Sequence, residues 1–161
     1  MQLISMDAEA KAIRQTFAEQ VEALKNVGEC PTCYGIYPPA DDKIFYEDAR
    51  IICMLEAYPR NPGHTILAFK AHYDDISELP PAEGAAIYPV MHKAIHALKV
   101  HLGAEKVYVC TMCDGKRNHL HFQLIPRLAG DAIQGSRLFV KTRQVLSAFE
   151  DDIIRLRQLM A

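Results

Sequence analysis

The run Asn118–Arg127, NHLHFQLIPR, constrains this chain more tightly than any other stretch. Apolar residues alternate with two histidines and a glutamine, and successive side chains of a β-strand point to opposite faces. His119, His121, Gln123 and Ile125 then share one face, while Leu120, Phe122 and Leu124 share the other. Such a strand needs a core behind it and presents a row of hydrogen-bonding groups in front. Same-face neighbours lie ~6.5 Å apart, so His119 and His121 do not bond one another directly but can serve one phosphoryl group and its support.

The rest of the chain sets the frame. With 161 residues, 50% hydrophobic and 24% charged, it is long enough for a sizeable core, and we expect one domain over 1–161. A formal net charge of −2 gives no basic footprint for long nucleic acid, and no stretch approaches the ~20 apolar residues of a membrane span. The N-terminus lacks the basic and continuous apolar regions of a signal peptide, which points to the cytoplasm. In that reducing compartment five cysteines serve better as metal ligands or free thiols than as a disulfide framework.

Ile13, Phe17, Val21 and Leu24 recur at helical spacing and stop at Asn26 and Gly28, which predicts an amphipathic N-terminal helix within 1–28. A core over 30–127 follows. Ile44–Tyr46 and Arg50–Glu56 read as a hairpin, and the PRNPGHT turn leads into a third strand at Ile66–Phe69. Ile87, Val90, Met91, Ala94 and Leu98 predict a long central helix over 81–101. Two further strands are expected at Val107–Thr111 and His119–Ile125. Val145, Phe149, Ile153, Leu156 and Met160 mark a C-terminal helix within 138–161. Strands without a helix between each pair argue for an antiparallel sheet and the α+β class.

Three clusters carry chemistry. In Cys30-Pro-Thr-Cys33 the spacing lets both thiolates reach one zinc; a redox pair is the rival reading, but that motif normally opens a helix after a strand, and here it follows a helix. Cys110 and Cys113 form a second such pair. On a strand they diverge, so they read as buried free cysteines rather than half of a four-thiolate site. The third cluster is His119, His121 and Gln123. His92 and His96 sit at i, i+4 but point away from the apolar stripe and lack a glutamate partner, so they read as solvated.

HLHFQLIPR, preceded by PGHT, by Lys70 and His72 and by CPTC, resembles the histidine triad (HIT) superfamily. The HxHxQ form is similar to its transferase branch, which includes galactose-1-phosphate uridylyltransferase and diadenosine tetraphosphate phosphorylases. The resemblance spans about Cys30 to Arg127. It implies a five-stranded antiparallel sheet with a long central helix, a homodimer, and a nucleotide as the small-molecule partner. It further implies a structural zinc held by Cys30, Cys33, His72 and His119, and His121 as a nucleophile that attacks an α-phosphorus to form a nucleotidylated histidine. Gln123 then supplies an amide donor to the phosphoryl group, with Asn118, Lys116, Arg117 and backbone N–H groups near Gly115 as further candidates. Glu56 takes the position of a ribose-binding aspartate, and Pro62 and His64 read as turn residues.

Gln123 cannot act as a general acid, which favours leaving groups of low basicity, such as a polyphosphate or pyrophosphate. DGKRNHLH is shorter than the family's usual glycine-rich approach to the motif. Arg137, Lys141 and Arg143 offer charge to distal phosphates or form a solvated face, and the solvated reading is preferred because charge runs usually are that. An intact His121 favours an enzyme, a nucleotidyl hydrolase or transferase, over the alternative of a nucleotide-binding or interaction module with little turnover; a redox or zinc-sensing protein using both cysteine pairs is a third class.

Overall fold

A computed structural model describes residues 1–36, 41–112 and 117–161. In chain order the elements are β1 (Gln2–Ile4), α1 (Ala8–Asn26), β2 (Ile44–Glu47), β3 (Ile51–Leu55), β4 (Thr65–Phe69), α2 (Pro81–Leu102), β5 (Lys106–Cys110), β6 (His121–Arg127), β7 (Val145–Ser147) and α3 (Glu150–Met160). The fold is α+β. β2 to β6 form a five-stranded sheet in the order β2-β3-β4-β6-β5, every neighbouring pair antiparallel, while β1 and β7 make a separate two-stranded ribbon.

The alternation along each strand sorts the side chains between two faces. On the back, Ile51, Cys53 and Leu55 of β3, Leu67 and Phe69 of β4, and Phe122 and Leu124 of β6 pack against Ile87, Val90, Ala94 and Leu98 of α2 and Ile153, Leu156 and Met160 of α3. On the front lies a smaller apolar patch of Met54, Ile66 and Ala68, flanked by Ile44 and Ile52. The register places Ile52, Ala68 and His121 in one row across the sheet, and Met54, Ile66 and Gln123 in the next. A one-residue slip of β6 would put His121 and Gln123 into the core and Phe122 and Leu124 into water, forfeiting about 1.5–3 kcal/mol for each apolar side chain exposed. Packing behind the sheet therefore sets which groups stand in front of it.

α2 starts on Pro81, whose fixed φ suits a first helical position, and ends at Gly103 in the left-handed conformation (φ 66°). α1 is capped by the Asp7 side chain, which accepts the Ala10 N–H at 2.8 Å, yet none of its residues is fully buried. Ile13 of its apolar stripe is 56% exposed.

Two expected elements differ. β6 begins at His121 rather than His119, because the Leu120 N–H is given to the Tyr73 carbonyl (2.7 Å) and not to β4. The C-terminal helix begins at Glu150, not near 138: Gly135–Val140 is a 3₁₀ turn, and Val145–Ser147 pairs as a strand with Gln2–Ile4. Ala148, at φ 47°, separates that strand from α3. The Phe149, Ile153, Leu156 and Met160 stripe is buried as the spacing requires.

Gly63, in the turn before β4, has φ 77°, and a Cβ there would meet the Leu102 side chain, with Leu98 and Pro126 at 3.1 Å. Both the backbone conformation and the close approach of α2 demand glycine. Gly63→Ala is expected to cost about 2–4 kcal/mol in urea unfolding, the sum of left-handed strain and overpacking.

Candidate functional site

After α1 the chain turns into Cys30-Pro31-Thr32-Cys33, whose Thr32 borders a cavity on the front of the sheet. His72, in the loop after β4, and His119, just before β6, meet these cysteines. The Nδ1 of His119 lies 3.5 Å from Cys30 Sγ and 3.7 Å from Cys33 Sγ, and the Nδ1 of His72 lies 3.4 Å from Cys33 Sγ. All four ligand atoms fall within 4.8 Å of one another. A tetrahedral zinc with arms of ~2.3 Å to sulfur and ~2.05 Å to nitrogen separates S from N by about 3.6 Å, so these residues fit the ion.

The outward nitrogens agree with that assignment. His119 Nε2–H donates to the Phe69 carbonyl at 2.6 Å and His72 Nε2–H to the Asp74 carboxylate at 3.1 Å, which orients both Nδ1 lone pairs inward. Burial, then the hydrogen bond and charge of Cys30, push the Cys33 thiol up to about 11, so binding of a cation must displace its proton. Among the described residues Cys110 belongs to no such cluster, and it is a half-buried thiol at the end of β5. Cys113 lies outside the described residues. Cys30→Ser is expected to drop the metal content from one ion per chain toward zero and to cost more than about 2 kcal/mol of stability, read by elemental mass spectrometry and urea titration, while Cys110→Ser changes neither.

On the front of β6, His121 Nδ1–H donates to the His119 carbonyl at 2.9 Å. A carbonyl only accepts, so Nδ1 carries the proton and the neutral ring keeps its lone pair on Nε2. Gln123 is buried, and its Oε1 lies 3.1 Å from Nε2 of His64. His64 Nδ1 accepts the Arg60 N–H at 3.2 Å, so Nε2 holds its proton and donates it to Gln123. With Oε1 thus occupied, the amide –NH₂ of Gln123 is the end left to donate elsewhere. His64 is therefore more than a turn residue, as its 1% exposure confirms.

Burial first, and then the nearby Arg143 charge, depress His64 to about 3. The unfolded ring titrates near 6.5, so from that pH downward the unfolded chain takes up a proton that the folded chain refuses. Its contribution is complete above pH 6.5 and is lost as pH falls toward 3. The stability of His64→Gln, compared with the parent between pH 7 and 4.5, should fall less steeply, and the difference between the two curves isolates this ring.

Three cavities surround these groups. One of about 200 Å³ is lined by Ile52, Met54, Ile66 and Ala68 of the apolar front together with Thr32 and His121. A second, about 240 Å³, is shared by His121, Asn118, Arg117 and Thr32 with Phe17, Val21 and Lys25 of α1. Lys25 Nζ donates to Asn118 Oδ1 at 3.3 Å, and Arg117 adopts φ 54°. Lys25 continues the i, i+4 series Phe17, Val21 along one helix face; that series was the only sequence signal for it. A third cavity, about 370 Å³, joins α1 to Glu56, Tyr58 and Arg143.

Of the residues singled out in the sequence, His119, His121, Asn118 and Arg117 converge on one cavity, and Gln123 stands in register beside His121. Glu56 lines a different one, where its carboxylate accepts the Tyr58 N–H at 3.0 Å and pairs with Arg143 at 3.5 Å. Lys116 and Gly115 lie outside the described residues. His92 and His96 are exposed on α2. The solvated face expected for Arg137, Lys141 and Arg143 holds only for Arg137. Lys141 Nζ donates to Asn61 Oδ1 at 2.5 Å and Arg143 to the Tyr58 carbonyl at 2.8 Å, because 141–146 runs back along 57–59, with Gln144 and Leu146 N–H groups bonding the Pro59 and Ala57 carbonyls.

Residues 38–130 match the HIT domain. An uncharacterized HIT-like protein of Methanocaldococcus jannaschii is 32% identical over 106 residues, covering 63% of this chain and 81% of that protein. An adenylylsulfatase of Arabidopsis thaliana is 25% identical over 121 residues, covering 73% of this chain and 61% of that protein. Among solved structures, a zinc-bound histidine triad family protein from Mycobacterium smegmatis superposes with a TM-score of 0.64 at 22% identity, over 81% of this chain and 92% of that one. A uridylyltransferase does so with 0.66 at 17% identity, over 93% of this chain and 50% of that one. These two likenesses establish the fold.

Proposed function

Because the chain belongs to the HIT family, we propose that it is a nucleotidyl hydrolase or transferase that cleaves at the α-phosphorus of a nucleoside 5′-phosphate derivative through His121. The observation that carries this reading is the bond from His121 Nδ1–H to the His119 carbonyl, which in the neutral ring keeps the lone pair on Nε2 of a side chain that lines the cavities in front of the sheet. In the first displacement Nε2 forms a bond to phosphorus, and the bond from phosphorus to the leaving oxygen breaks with its electron pair. In the second, water or a phosphate-bearing acceptor attacks the same phosphorus and releases His121.

The remaining parts have complementary tasks. The –NH₂ of Gln123, oriented by His64, donates to a phosphoryl oxygen; Lys25 and Arg117 place two positive charges in the cavity that His121 lines, and none of the described residues lining it is a carboxylate. The apolar patch of Ile52, Met54, Ile66 and Ala68 suits the flat face of a nucleoside. Cys30, Cys33, His72 and His119 would hold a zinc ion, which would supply rigidity rather than Lewis acidity, since four protein ligands would leave no open position.

Glutamine in place of an acid favours leaving groups that depart unprotonated, such as a polyphosphate or a sulfate. The adenylylsulfatase relative is consistent with that chemistry.

Intact-protein mass spectrometry after brief mixing with diadenosine polyphosphates, adenosine 5′-phosphosulfate or UDP-sugars, quenched in alkali, tests the reading. A single nucleotidyl mass increment is expected in the parent chain and none in His121→Ala. That variant should lose turnover by at least about 10³-fold while keeping its metal and its stability within about 1 kcal/mol. Turnover surviving in His121→Ala would refute the covalent route, and nucleotide binding without adduct or turnover would leave a binding module.

A further inference from the structure

Between the N-terminal segment and residues 133–144 runs a groove of about 920 Å³, larger than the cavities around His121. Lys11, Arg137, Lys141 and Arg143 line it, and no carboxylate does among the described residues. In a chain whose formal net charge is −2, four cations gathered on one concave surface are a local arrangement and not a consequence of composition. We propose that this groove is a second anion site, which binds a phosphate esterified to the ribose 2′ or 3′ oxygen of the nucleotide held at His121. The substrate class is then a ribose-phosphorylated nucleotide; this rests on the nucleotidyl-transfer reading above.

The direction follows from the order of the residues. Arg143 lines both this groove and the cavity that contains Glu56, and so forms the wall between them. In this pose the α-phosphorus lies at His121 and the ribose hydroxyls at Glu56, which pairs with Arg143 at 3.5 Å, so that a substituent on those hydroxyls would meet Arg143 and the groove it lines. A phosphate ester there brings nearly two negative charges and three acceptor oxygens to a surface of guanidinium and ammonium donors. An unsubstituted ribose would leave that surface unused.

The groove is also built rather than incidental. Leu138 is fully buried, Phe139 stacks edge-on against Tyr108 at 6.0 Å, and the Gly135 N–H donates to the Tyr108 hydroxyl at 3.1 Å, which anchors the turn that carries Arg137. The Lys141 carbonyl accepts from the Arg60 guanidinium at 2.6 Å while its ammonium is held by Asn61. Lys141 is thus fixed in place, and the backbone that carries Arg137 is anchored, which lowers the ordering cost of binding. Lys11 and Arg137 are exposed and make no side-chain hydrogen bond or ion pair with another described residue, so their charge is available to a ligand.

Isothermal titration of the full chain with adenosine, guanosine, cytidine and uridine 5′-monophosphates, each against its 3′,5′- and 2′,5′-bisphosphate, tests the proposal. One bisphosphate is expected to bind about tenfold more tightly than the matching monophosphate, with a steeper loss of affinity in salt. Whether the 2′ or the 3′ isomer gains identifies the oxygen. In the double variant Lys11→Ala/Arg137→Ala that ratio should shrink toward one while the monophosphate affinity is unchanged. Equal affinity for mono- and bisphosphates in the parent chain, or a ratio untouched by the double variant, overturns the proposal and leaves the nucleotidyl reading intact. Failure of every nucleotide to bind overturns both.

Discussion

His119 is bound on three sides, and the site depends on how those bonds divide its atoms. Its Nδ1 faces the two thiols, its Nε2–H is spent on the Phe69 carbonyl of β4, and its own carbonyl takes the Nδ1 proton of His121. One residue therefore links the N-terminal knuckle, the central strand and the tautomer of the neighbouring imidazole. Without the cysteines the ring loses its inward partners, and without β4 it loses its orientation. In either case the carbonyl that fixes His121 is no longer fixed itself. Structural and chemical histidines two residues apart are coupled through backbone and not through their rings.

The same economy appears in the sheet. Its back is a conventional core against α2 and α3, and that burial specifies the register. Its front is apolar only in a small patch, and the row Ile52, Ala68, His121 places the reactive ring next to that patch at the spacing of adjacent strands. The two groups to which the proposed function assigns the nucleoside and the phosphoryl group thus stand side by side through strand pairing alone. The buried His64 to Gln123 contact extends the arrangement one step further, using a neutral ring as a fixed donor.

Much of this was legible in the sequence because period-two patterning and the CxxC spacing are local signals. His119, His121 and Gln123 declared a two-faced strand, and Cys30 with Cys33 declared half of a metal site. Other features were not local. Val145, Leu146 and Ser147 sit inside a helical spacing that continues through Phe149, and nothing near them announces a partner strand at Gln2–Ile4. Lys141 and Arg143 read as solvated charge because their acceptors, Asn61 and the Tyr58 carbonyl, lie about 80 residues away in the chain. His64 looked like part of a turn since its value lies in where the ring points, which a PGHT motif does not encode. Lys25 was hidden by its ordinary place on an amphipathic helix.

α1 forms a wall of two of the three cavities around the site, through Phe17 and Val21, yet buries none of its own residues completely. Exposed helical positions tolerate substitution with small effects on stability. The outer face of the helix is accordingly open to substitution at little cost to the fold, and its half-buried inner face borders the site. Changes at its inner face would alter what fits against His121 and Glu56 without touching the packed sheet or the Cys30, Cys33, His72 and His119 cluster. Differences in what such chains accommodate would then accumulate in the first 26 residues, far in sequence from the HxHxQ motif.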